Sequence, residues 1–491
     1  MPIETGLDYL NSLRDGREVW LAGSRVLDVT EHPAFQGCLA SIAAVYDKQH
    51  DPSCSDLLTM QSPSTGERVS LAYLIPRSAE DLLRRRKMIE YLAGLNGGMM
   101  GRLPDYVPLI LLGLLAQKEL LARYERAWAG NVEGYFEQCR ENDSCLSHSF
   151  ADPQIDRSKP SEQLNFLRIV SRDETGLTVR GSKTVATLAP FANEYLVLTP
   201  PRAGISPEQV ILFSVPIATP GLRFICREPF GRENSSDHPL SSRFDEMDAT
   251  AIFDDVRIPR ERIFLSENVE ALRTIWRALN SWAYYHILIR MAVKAEVFLG
   301  TAALITEQIG TKDFQNVQEE LANIARYAET IKAFLRAAEA DAVIIRGSGV
   351  AMPNPKSLMV GHMYAVENYP NLHRSLIELG GQGVLMTPGF ADYGNEELRD
   401  SIDGIFAGSN SQTEDRIKLF KLAWDMACGS FAARQLLFEL FNGRNLTRNR
   451  LDFLRSFDLS PFRERARRLA GLPIPAQSEK GDSPTERRPF S

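Results

Sequence analysis

An arginine and a tyrosine lie four residues apart in the segment GGMMGRLPDYVPL, residues 97–109. Arg102 carries a permanent charge on a planar fork of donors, so in a cleft it can hold a carboxylate or stabilise a phenolate. Tyr106, one helical turn further on, can hydrogen-bond the same small molecule. The commoner reason for this spacing is structural, with the arginine capping a helix or pairing with Asp105.

A histidine follows in LSHSFADPQIDRSKP, residues 146–160, at the boundary between a helical and a β-rich region. The unperturbed pKa of histidine is near neutrality, so His148 can pass a proton or hydrogen-bond an oxygen of a flavin or a substrate. Gln154 and Arg157 lie close by in the sequence. The alternative is a loop histidine with purely structural hydrogen bonds.

Two further charged segments have structural interpretations as well. Acidic residues are dense in HPLSSRFDEMDATAIFDDVRIPRERIFL, residues 238–265, but neighbours in a strand point to opposite faces. We therefore predict a structural ion-pair network there and no metal site. After a predicted helix end at Gly443, a group of basic and polar residues could meet a phosphate or form a solvated turn: Arg444, Asn445, Thr447 and Arg448.

Several common catalytic signatures are missing from the sequence. It contains no GxSxG, no GxGxxG after a strand, no GxxxxGK[ST] and no HExxH, so hydrolase, Rossmann, P-loop and zinc-protease interpretations lose their usual support. The 6 cysteines form no CxxC pair, which is typical of a reducing compartment and argues against a structural metal. We expect a cytoplasmic location.

The bulk composition is that of an ordinary globular protein. Of 491 residues, 44% are hydrophobic and 24% charged, and the net charge of −7 gives no reason to expect a nucleic-acid or membrane partner. The longest apolar run, VPLILLGLLA at 107–116, is shorter than the ~20 residues that span a bilayer, so it predicts a buried helix.

The pattern of elements predicts an α+β protein of three domains and a tail. Residues 1–144 are mostly helical, with Ser78 as a helix cap, and residues 145–268 contain short β-type runs typical of a compact barrel. Apolar residues in steps of four and three between Val317 and Ala338 indicate a helix bundle over 269–472. Residues 473–491 are rich in proline, serine and charge and predict a disordered tail. A barrel between helical units leaves a cleft for a flat cofactor.

Together these segments resemble the 4-hydroxyphenylacetate 3-monooxygenase family, in particular the large oxygenase component of two-component FADH2-dependent aromatic hydroxylases. The resemblance runs from TGLDYLNSLRDGREVWLAG through GMMGRLPDY, the acidic segment 238–265 and KLFKLAWDM to about residue 465. It implies an acyl-CoA-dehydrogenase-like fold with an α-helical N-terminal domain, a central β-barrel and a C-terminal four-helix bundle. It also implies a homotetramer built as a dimer of dimers.

The resemblance implies a reaction as well. Members of the family take FADH2 from a separate NAD(P)H-dependent flavin reductase, form a flavin C4a-hydroperoxide with O2, and hydroxylate a para-substituted phenol ortho to its hydroxyl to give a catechol. The protein orients the ring and excludes water while the flavin does the oxygen chemistry. The substrate stays open among 4-hydroxyphenylacetate, tyrosine or a metabolite derived from it, a 4-coumarate-like acid and a carrier-tethered tyrosyl group.

The family's site residues map onto this sequence position by position. The side chains around the phenol oxygen are Arg102, Tyr106 and His148, of which the arginine would favour the phenolate while the other two fix the oxygen and help to protonate the departing flavin oxygen. The residues implied to contact flavin are His148, Ser149, Phe150, Gln154, Ile155, Asp156, Arg157, Thr187, Arg444, Asn445, Leu446 and Thr447.

Two positions depart from the family pattern. Where members that act on 4-hydroxyphenylacetate carry a Ser-Thr pair that meets the substrate carboxylate, this chain has Pro200 and Pro201, which offer no N–H and no hydroxyl. The family's GDPxR turn is replaced by the sequence from Gly443 to Thr447. The substrate tail is therefore expected to differ, and the flavin contact at the turn is expected to be altered in detail.

Other functions are compatible with the same fold. A 4-hydroxybutyryl-CoA dehydratase needs cysteine ligands for an iron–sulfur cluster, but no cysteine lies between Cys54 and Cys139. An acyl-CoA dehydrogenase needs a catalytic carboxylate over the flavin, and its family lacks the GRLPDY and SRFDEMD segments. A non-catalytic flavin-binding protein is the remaining alternative.

Overall fold

The computed structural model describes residues 3–156, 158–159, 164–231, 234–409, 411–443 and 445–473. Of the residues singled out in the sequence, Arg157, Arg444 and 474–491 of the predicted tail lie outside this described part. No helix within it is both long enough and apolar enough to cross a membrane.

The N-terminal region is mainly helical, as predicted, but it also contributes strands. Its elements are α1 (Gly6–Ser12), β1 (Glu18–Leu21), β2 (Ser24–Val26), α2 (Gln36–Lys48), α3 (Ser55–Leu58), β3 (Thr59–Gln61), β4 (Arg68–Ser70), α4 (Ala79–Gly94), α5 (Tyr106–Ala116), α6 (Lys118–Tyr124) and α7 (Arg126–Glu141).

Two local predictions for this region are confirmed. The Ser78 hydroxyl accepts a hydrogen bond from the N–H of Asp81 and caps α4, because it supplies an acceptor for a donor that has no partner within the helix. The apolar run 107–116 forms most of α5, and every residue of that helix is buried.

The middle region supplies most of the β structure. Its elements are β5 (Leu146–Ser149), β6 (Arg168–Asp173), β7 (Gly176–Lys183), β8 (Glu194–Leu198), β9 (Ile211–Pro216), β10 (Leu222–Cys226), α8 (Ser241–Phe244), β11 (Ala249–Pro259) and β12 (Ile263–Ser266).

These strands form two sheets. The larger has the order β2-β1-β10-β11-β7-β6, and the smaller has the order β12-β9-β8-β5. An isolated bridge between Ala151 and Thr184 links the ends of β5 and β7. Because β1 pairs with β10 in parallel, the larger sheet also includes strands from the mainly helical N-terminal region. Closure of the two sheets into a barrel stays a prediction.

The C-terminal region is a helical bundle with a short hairpin. Its elements are α9 (Val269–Ile309), α10 (Gln315–Ala340), β13 (Val343–Ile344), β14 (Ala351–Met352), α11 (Pro355–Gly380), α12 (Gly383–Met386), α13 (Phe390–Tyr393), α14 (Glu396–Phe406), α15 (Thr413–Ala427), α16 (Ser430–Phe441), α17 (Leu446–Ser456) and α18 (Ser460–Leu469).

Helices α9, α10, α11 and α15 pack on one another and form the bundle. The apolar stripe predicted between Val317 and Ala338 lies on α10, and its members are buried except for the half-buried Leu321. Helix α9 also packs against α4 and α5 of the N-terminal region. This contact brings the start of α5 close to the bundle, while β5 approaches α5 from the sheet side.

Candidate active site

Two glycines let the loop before α5 lie directly against the bundle. Gly98 has a φ of +73°, and a Cβ on it would lie 2.8 Å from the carbonyl oxygen of Arg290. A Cβ on Gly101 would lie 2.5 Å from Cζ of Phe438. Arg290 Nη1 donates to the Gly98 carbonyl over 2.9 Å. Any larger residue at these glycines would push the loop away from α9 and α16.

Arg102 is buried at the end of this loop, with 8% of its surface exposed. Its backbone N–H donates to Glu246 Oε1 over 2.7 Å, and its Nη2 donates to Asn442 Oδ1 over 2.9 Å. Its Nε has no hydrogen-bond partner among the described residues. Burial lowers the pKa of the guanidinium, and Tyr106 and Glu246 oppose that shift. The group stays charged at neutral pH and keeps one donor available.

The relation of Arg102 to Tyr106 differs from the predicted one. Helix α5 begins at Tyr106, so the arginine lies in the turn before the helix instead of one turn earlier on it. The Tyr106 N–H donates to the Leu103 carbonyl across Pro104. The two side chains nevertheless meet, with the Arg102 Cζ 3.9 Å from the centroid of the Tyr106 ring. The contact has the geometry of a cation–π pair.

His148 completes the predicted set of three. It lies on β5, opposite Leu196 of β8, and it is 8% exposed. Its ring centroid is 5.4 Å from that of Tyr106 and 4.7 Å from that of Phe150. Its Nδ1 is buried without a partner among the described residues. The structure therefore brings Arg102, Tyr106 and His148 together and leaves polar atoms on two of them unused.

His148 is expected to be neutral across the working pH range. Burial, and then the positive charge of Arg102, hold its pKa well below the usual value of 6.5. Histidine-selective NMR between pH 5.5 and 8 should show one imidazole that does not titrate and that disappears in His148→Asn. A resonance that titrates near pH 6.5 and is lost in that variant would contradict the assignment.

A buried histidine–aspartate pair behind Tyr106 was not predicted from the sequence. His286 Nε2 and Asp105 Oδ2 are 3.0 Å apart, and both side chains are 3% exposed. The His286 ring stands edge-on to Tyr106, with centroids 5.0 Å apart. Asp105 was weighed as a partner of Arg102, but its carboxylate binds His286 instead.

The sequence does contain a signal for this pair. His286, Arg290 and Lys294 recur in steps of four within the otherwise apolar segment 282–295 of α9, which places them on one face of the helix. All three are buried. Polar residues at helical spacing inside an apolar run are unusual enough to mark a buried polar cluster.

The acidic segment 238–265 forms the ion-pair network that was predicted. Arg434 of α16 donates to both oxygens of Asp248 and, over 3.0 Å, to Glu246. Arg227 donates to Asp245 and Asp248. Because Glu246 also accepts from the backbone of the site arginine, this network links α16 and the sheet to the candidate site.

The residues predicted to contact flavin are only partly brought together. Ser149 and Phe150 follow His148 directly, but the Ser149 hydroxyl donates to the Thr184 carbonyl. Gln154 and Asp156 are exposed and Ile155 is half-buried. The Thr187 hydroxyl donates to Asp248 over 2.7 Å, so that proton is already used within the ion-pair network.

The C-terminal turn follows α16 and begins next to Asn442, which contacts Arg102. The Asn445 side chain accepts from the Thr447 N–H and caps α17, which is a structural role that the sequence analysis did not assign. Asn445 and Thr447 are exposed and Leu446 is half-buried. Asn442, missed by the sequence analysis, reaches Arg102 directly and has a buried Nδ2 without a partner among the described residues.

Pro200 and Pro201 are half-buried in the turn that follows β8. Next to them, Arg202 Nη1 donates to Asp152 over 2.6 Å, and its guanidinium lies 4.4 Å from the centroid of the Phe166 ring. Lys183 donates to the same aspartate. The charged groups beside the prolines are thus already paired with one another.

Family models match almost the whole chain. The model described as 4-hydroxyphenylacetate 3-hydroxylase N terminal matches residues 5–265, and the model described as 4-hydroxyphenylacetate 3-hydroxylase C terminal matches residues 274–471. The 4-hydroxyphenylacetate 3-monooxygenase oxygenase component of Thermus thermophilus is 35% identical over 474 residues, which cover 94% of this chain and 96% of the relative.

Solved structures agree with this match. The crystal structure of an oxygenase component of 4-hydroxyphenylacetate 3-monooxygenase in complex with FAD and 4-hydroxyphenylacetate superposes with a TM-score of 0.90 at 34% identity, covering 95% of this chain and 98% of that one. A 4-hydroxybutyryl-CoA dehydratase from N. maritimus superposes with a TM-score of 0.88 at 21% identity, which reflects the shared fold. The expectation of an acyl-CoA-dehydrogenase-like fold is confirmed.

Proposed function

The chain belongs to the 4-hydroxyphenylacetate 3-hydroxylase family, and from this premise we propose that its Arg102–Tyr106–His148 site holds a para-substituted phenol for hydroxylation ortho to the phenol oxygen. The enzyme is a reduced-flavin-dependent aromatic monooxygenase that uses FAD and O2. The product of the proposed reaction is a catechol.

One observation carries the proposal. A buried arginine and a buried histidine both contact the ring of a buried tyrosine, and the arginine Nε and histidine Nδ1 have no hydrogen-bond partner among the described residues. Buried polar atoms without partners are rare in proteins and mark positions where a ligand or a water binds. A phenol oxygen can accept from Nε of Arg102 and donate to Nδ1 of His148 when that imidazole is neutral.

The residues present also fit a flavin. The rings of Phe150 and Trp276 pack against each other with centroids 5.9 Å apart, and Phe150 also packs against His148. Asn442 has a buried side-chain amide donor without a partner among the described residues. Flat apolar rings with a few polar atoms are suited to an isoalloxazine. We propose that these residues hold the cofactor together with His148, Ser149, Gln154, Ile155, Asp156, Arg157, Thr187 and residues 444–447. When bound, the flavin supplies the activation of O2.

Each protein group has a definite task in this proposal. Arg102 stabilises negative charge on the phenol oxygen, which raises electron density at the carbon that is hydroxylated. His148 accepts a hydrogen bond from the phenol hydroxyl, because burial and the charge of Arg102 keep its imidazole neutral. Tyr106 fixes the position of both groups by its ring contacts with them. Burial of all three keeps water away from the reacting atoms.

The two prolines after β8 are proposed to face the para substituent. Introducing Pro200→Ser together with Pro201→Thr should lower KM for 4-hydroxyphenylacetate about ten-fold, since each new hydrogen bond to a carboxylate contributes about 1.5–3 kcal/mol before its ordering costs. The KM for 4-methylphenol, which has no carboxylate, should not change. Equal changes in both KM values would contradict this placement.

The partners follow from the same family membership. An oxygenase component implies a separate reductase, and we propose that a NAD(P)H-dependent flavin reductase supplies the reduced FAD. We further propose a cytoplasmic homotetramer arranged as a dimer of dimers. The phenol arrives either free or attached to a carrier.

A substrate screen tests the proposed function. The protein, a general flavin reductase, NADH, FAD and O2 are incubated with 4-hydroxyphenylacetate, tyrosine, 4-coumarate and 4-methylphenol, and catechols are detected by mass. We expect at least one phenol to gain one oxygen atom, which comes from 18O-labelled O2. Binding of reduced FAD without any catechol from such a panel would favour a non-catalytic flavin-binding protein.

A further inference from the structure

A small cavity lies behind the candidate active site, away from Arg102 and His148. It has a volume of about 20 Å³ and is lined mostly by buried residues of α2, α4 and the turns before α5 and β5. A cavity of roughly 10–15 Å³ is enough to hold one water molecule. Its polar lining residues are Tyr46, Gln49, Ser70, Tyr73, Asp105, Asp143 and Ser144.

Three of these lining residues have buried polar atoms with no partner in the described part of the chain. They are Oε1 of Gln49, the hydroxyl of Tyr73 and Oδ1 of Asp105. A buried water makes about three hydrogen bonds to otherwise unsatisfied groups. The number and chemistry of these atoms therefore match the requirements of one water.

On one side the cavity borders the active site. Asp105 lines the cavity, its Oδ1 has no partner among the described residues, and its other oxygen binds His286 Nε2 over 3.0 Å. The His286 ring stands against Tyr106, and its Nδ1 is buried without a described partner. Asp105 and His286 thus connect the cavity with the side chain that we propose to face the phenol.

On the other side the cavity approaches the surface. Asp143 accepts from the Gln49 amide over 2.7 Å and from the Glu4 N–H over 3.2 Å. Burial raises the pKa of Asp143 to about 6, and burial together with Asp143 and Asp8 raises the pKa of the half-buried Glu4 to about 7. Exposed His50 binds the Glu4 carbonyl. Both carboxyls can therefore exchange protons near neutral pH.

We propose that this cavity holds a water that joins Asp143 to Asp105 and completes a proton relay that runs from Asp143 through Asp105 and His286 to the active site. The relay rests on the proposed function. If the reduced flavin enters as its anion, one FADH⁻, one O2, one phenol and one proton give one FAD, one catechol and one water. That proton has to enter a site from which bulk water is excluded.

The relay moves a proton and no electrons. Asp143 takes up a proton from the solvent side of the cavity, where Glu4 lies, and passes one to the water, which passes one to Asp105. Asp105 gives a proton to His286 Nε2, and His286 releases one from Nδ1, which is the proton consumed when the second oxygen atom of O2 leaves as water. Each group gains one proton and loses one, so that its charge is the same before and after the transfer.

The test combines the variant Asp143→Asn with a crystal structure. Asn keeps the shape and the acceptor oxygen but cannot pass on an acidic proton, and it tolerates the positive φ of 46° at this position. In single turnovers of the flavin-loaded enzyme, we expect hydroxylation to slow about ten-fold and its solvent isotope effect to rise. Melting temperature and affinity for reduced FAD should be unchanged.

Asp255→Asn is the matched control. Asp255 also has a positive φ, of 51°, but lies on β11 and pairs with Arg180 at the surface. This variant should hydroxylate at the wild-type rate with the wild-type isotope effect. If Asp143→Asn does not fold, Tyr73→Phe replaces it as the test, with Tyr369→Phe, another buried hydroxyl without a described partner, as its control.

A crystal structure of the wild-type protein gives a readout that is independent of activity. We expect an ordered water at about 3 Å from both Asp105 Oδ1 and the Tyr73 hydroxyl. A well-ordered cavity without that water, or an Asp143→Asn enzyme with wild-type rate and isotope effect, overturns the relay. A wild-type enzyme that hydroxylates no phenol would instead contradict the proposed function.

Discussion

Replacing Arg102 by alanine is expected to slow catechol formation by about 10²–10³-fold, the typical loss when one preorganised donor to a developing oxyanion is removed. Oxygen consumption should continue and end in H2O2, because no phenolate is then held where the oxygen atom is transferred. Single-turnover assays that measure catechol and H2O2 separately give the rate of catechol formation and the ratio of the two products. A variant that forms catechol at the wild-type rate would show that the arginine has another role.

Two controls separate the catalytic effect from a loss of structure. Arg102→Lys keeps the charge but loses the planar fork, so it should recover only part of the rate. Arg180→Ala removes an exposed ion pair with Asp255 and should leave the product ratio unchanged. Melting temperatures of all three variants show whether the fold tolerates each change.

Replacing Glu439 by glutamine is expected to have the largest effect on stability. Glu439 is fully buried and accepts from Arg290 Nη2 over 2.6 Å and from Lys294. Loss of its charge leaves two buried cations with a neutral partner, and breaking a buried pair in this way destabilises by about 3–5 kcal/mol. Urea unfolding of the wild type and the variant at pH 7 measures the difference in their free energies of unfolding.

The pH dependence of this effect has a definite sign. Arg290 and Lys294 overcome the effect of burial and lower the pKa of Glu439 from 4.5 to about 2. The contribution of the Glu439 charge to the free energy of unfolding is therefore complete above pH 4.5 and is lost as the pH falls towards 2. The difference in free energy of unfolding between the wild type and Glu439→Gln should shrink over that range of pH. Glu414→Gln, which removes an exposed pair with Lys418, should change stability little at any pH.

Much of the fold and part of the site could be predicted from the sequence. An uninterrupted apolar run located α5, apolar periodicity located α10, and cap chemistry located the start of α4, because local propensity and burial agree in those segments. Arg102, Tyr106 and His148 were recognised through a resemblance carried by specific motifs. Their types and spacing alone favoured a structural role.

The remaining features depend on distant pairing. The parallel partner of β1 is β10, about 200 residues later in the chain, and no local pattern encodes such a contact. Likewise, the binding of Asp105 to His286 depends on how α9 crosses the start of α5. Helix spacing within α9 could show that His286 faces inward but could not identify its partner.

The pairing of β1 with β10 also bears on how this protein can be divided for engineering. A fragment that begins at residue 145 lacks β1 and β2, so β10 becomes an open edge strand of the larger sheet. Open, flat edges recruit other chains and lead to aggregation. Domain exchange between relatives should therefore carry residues 18–26 together with the sheet, although these residues precede it by more than a hundred positions.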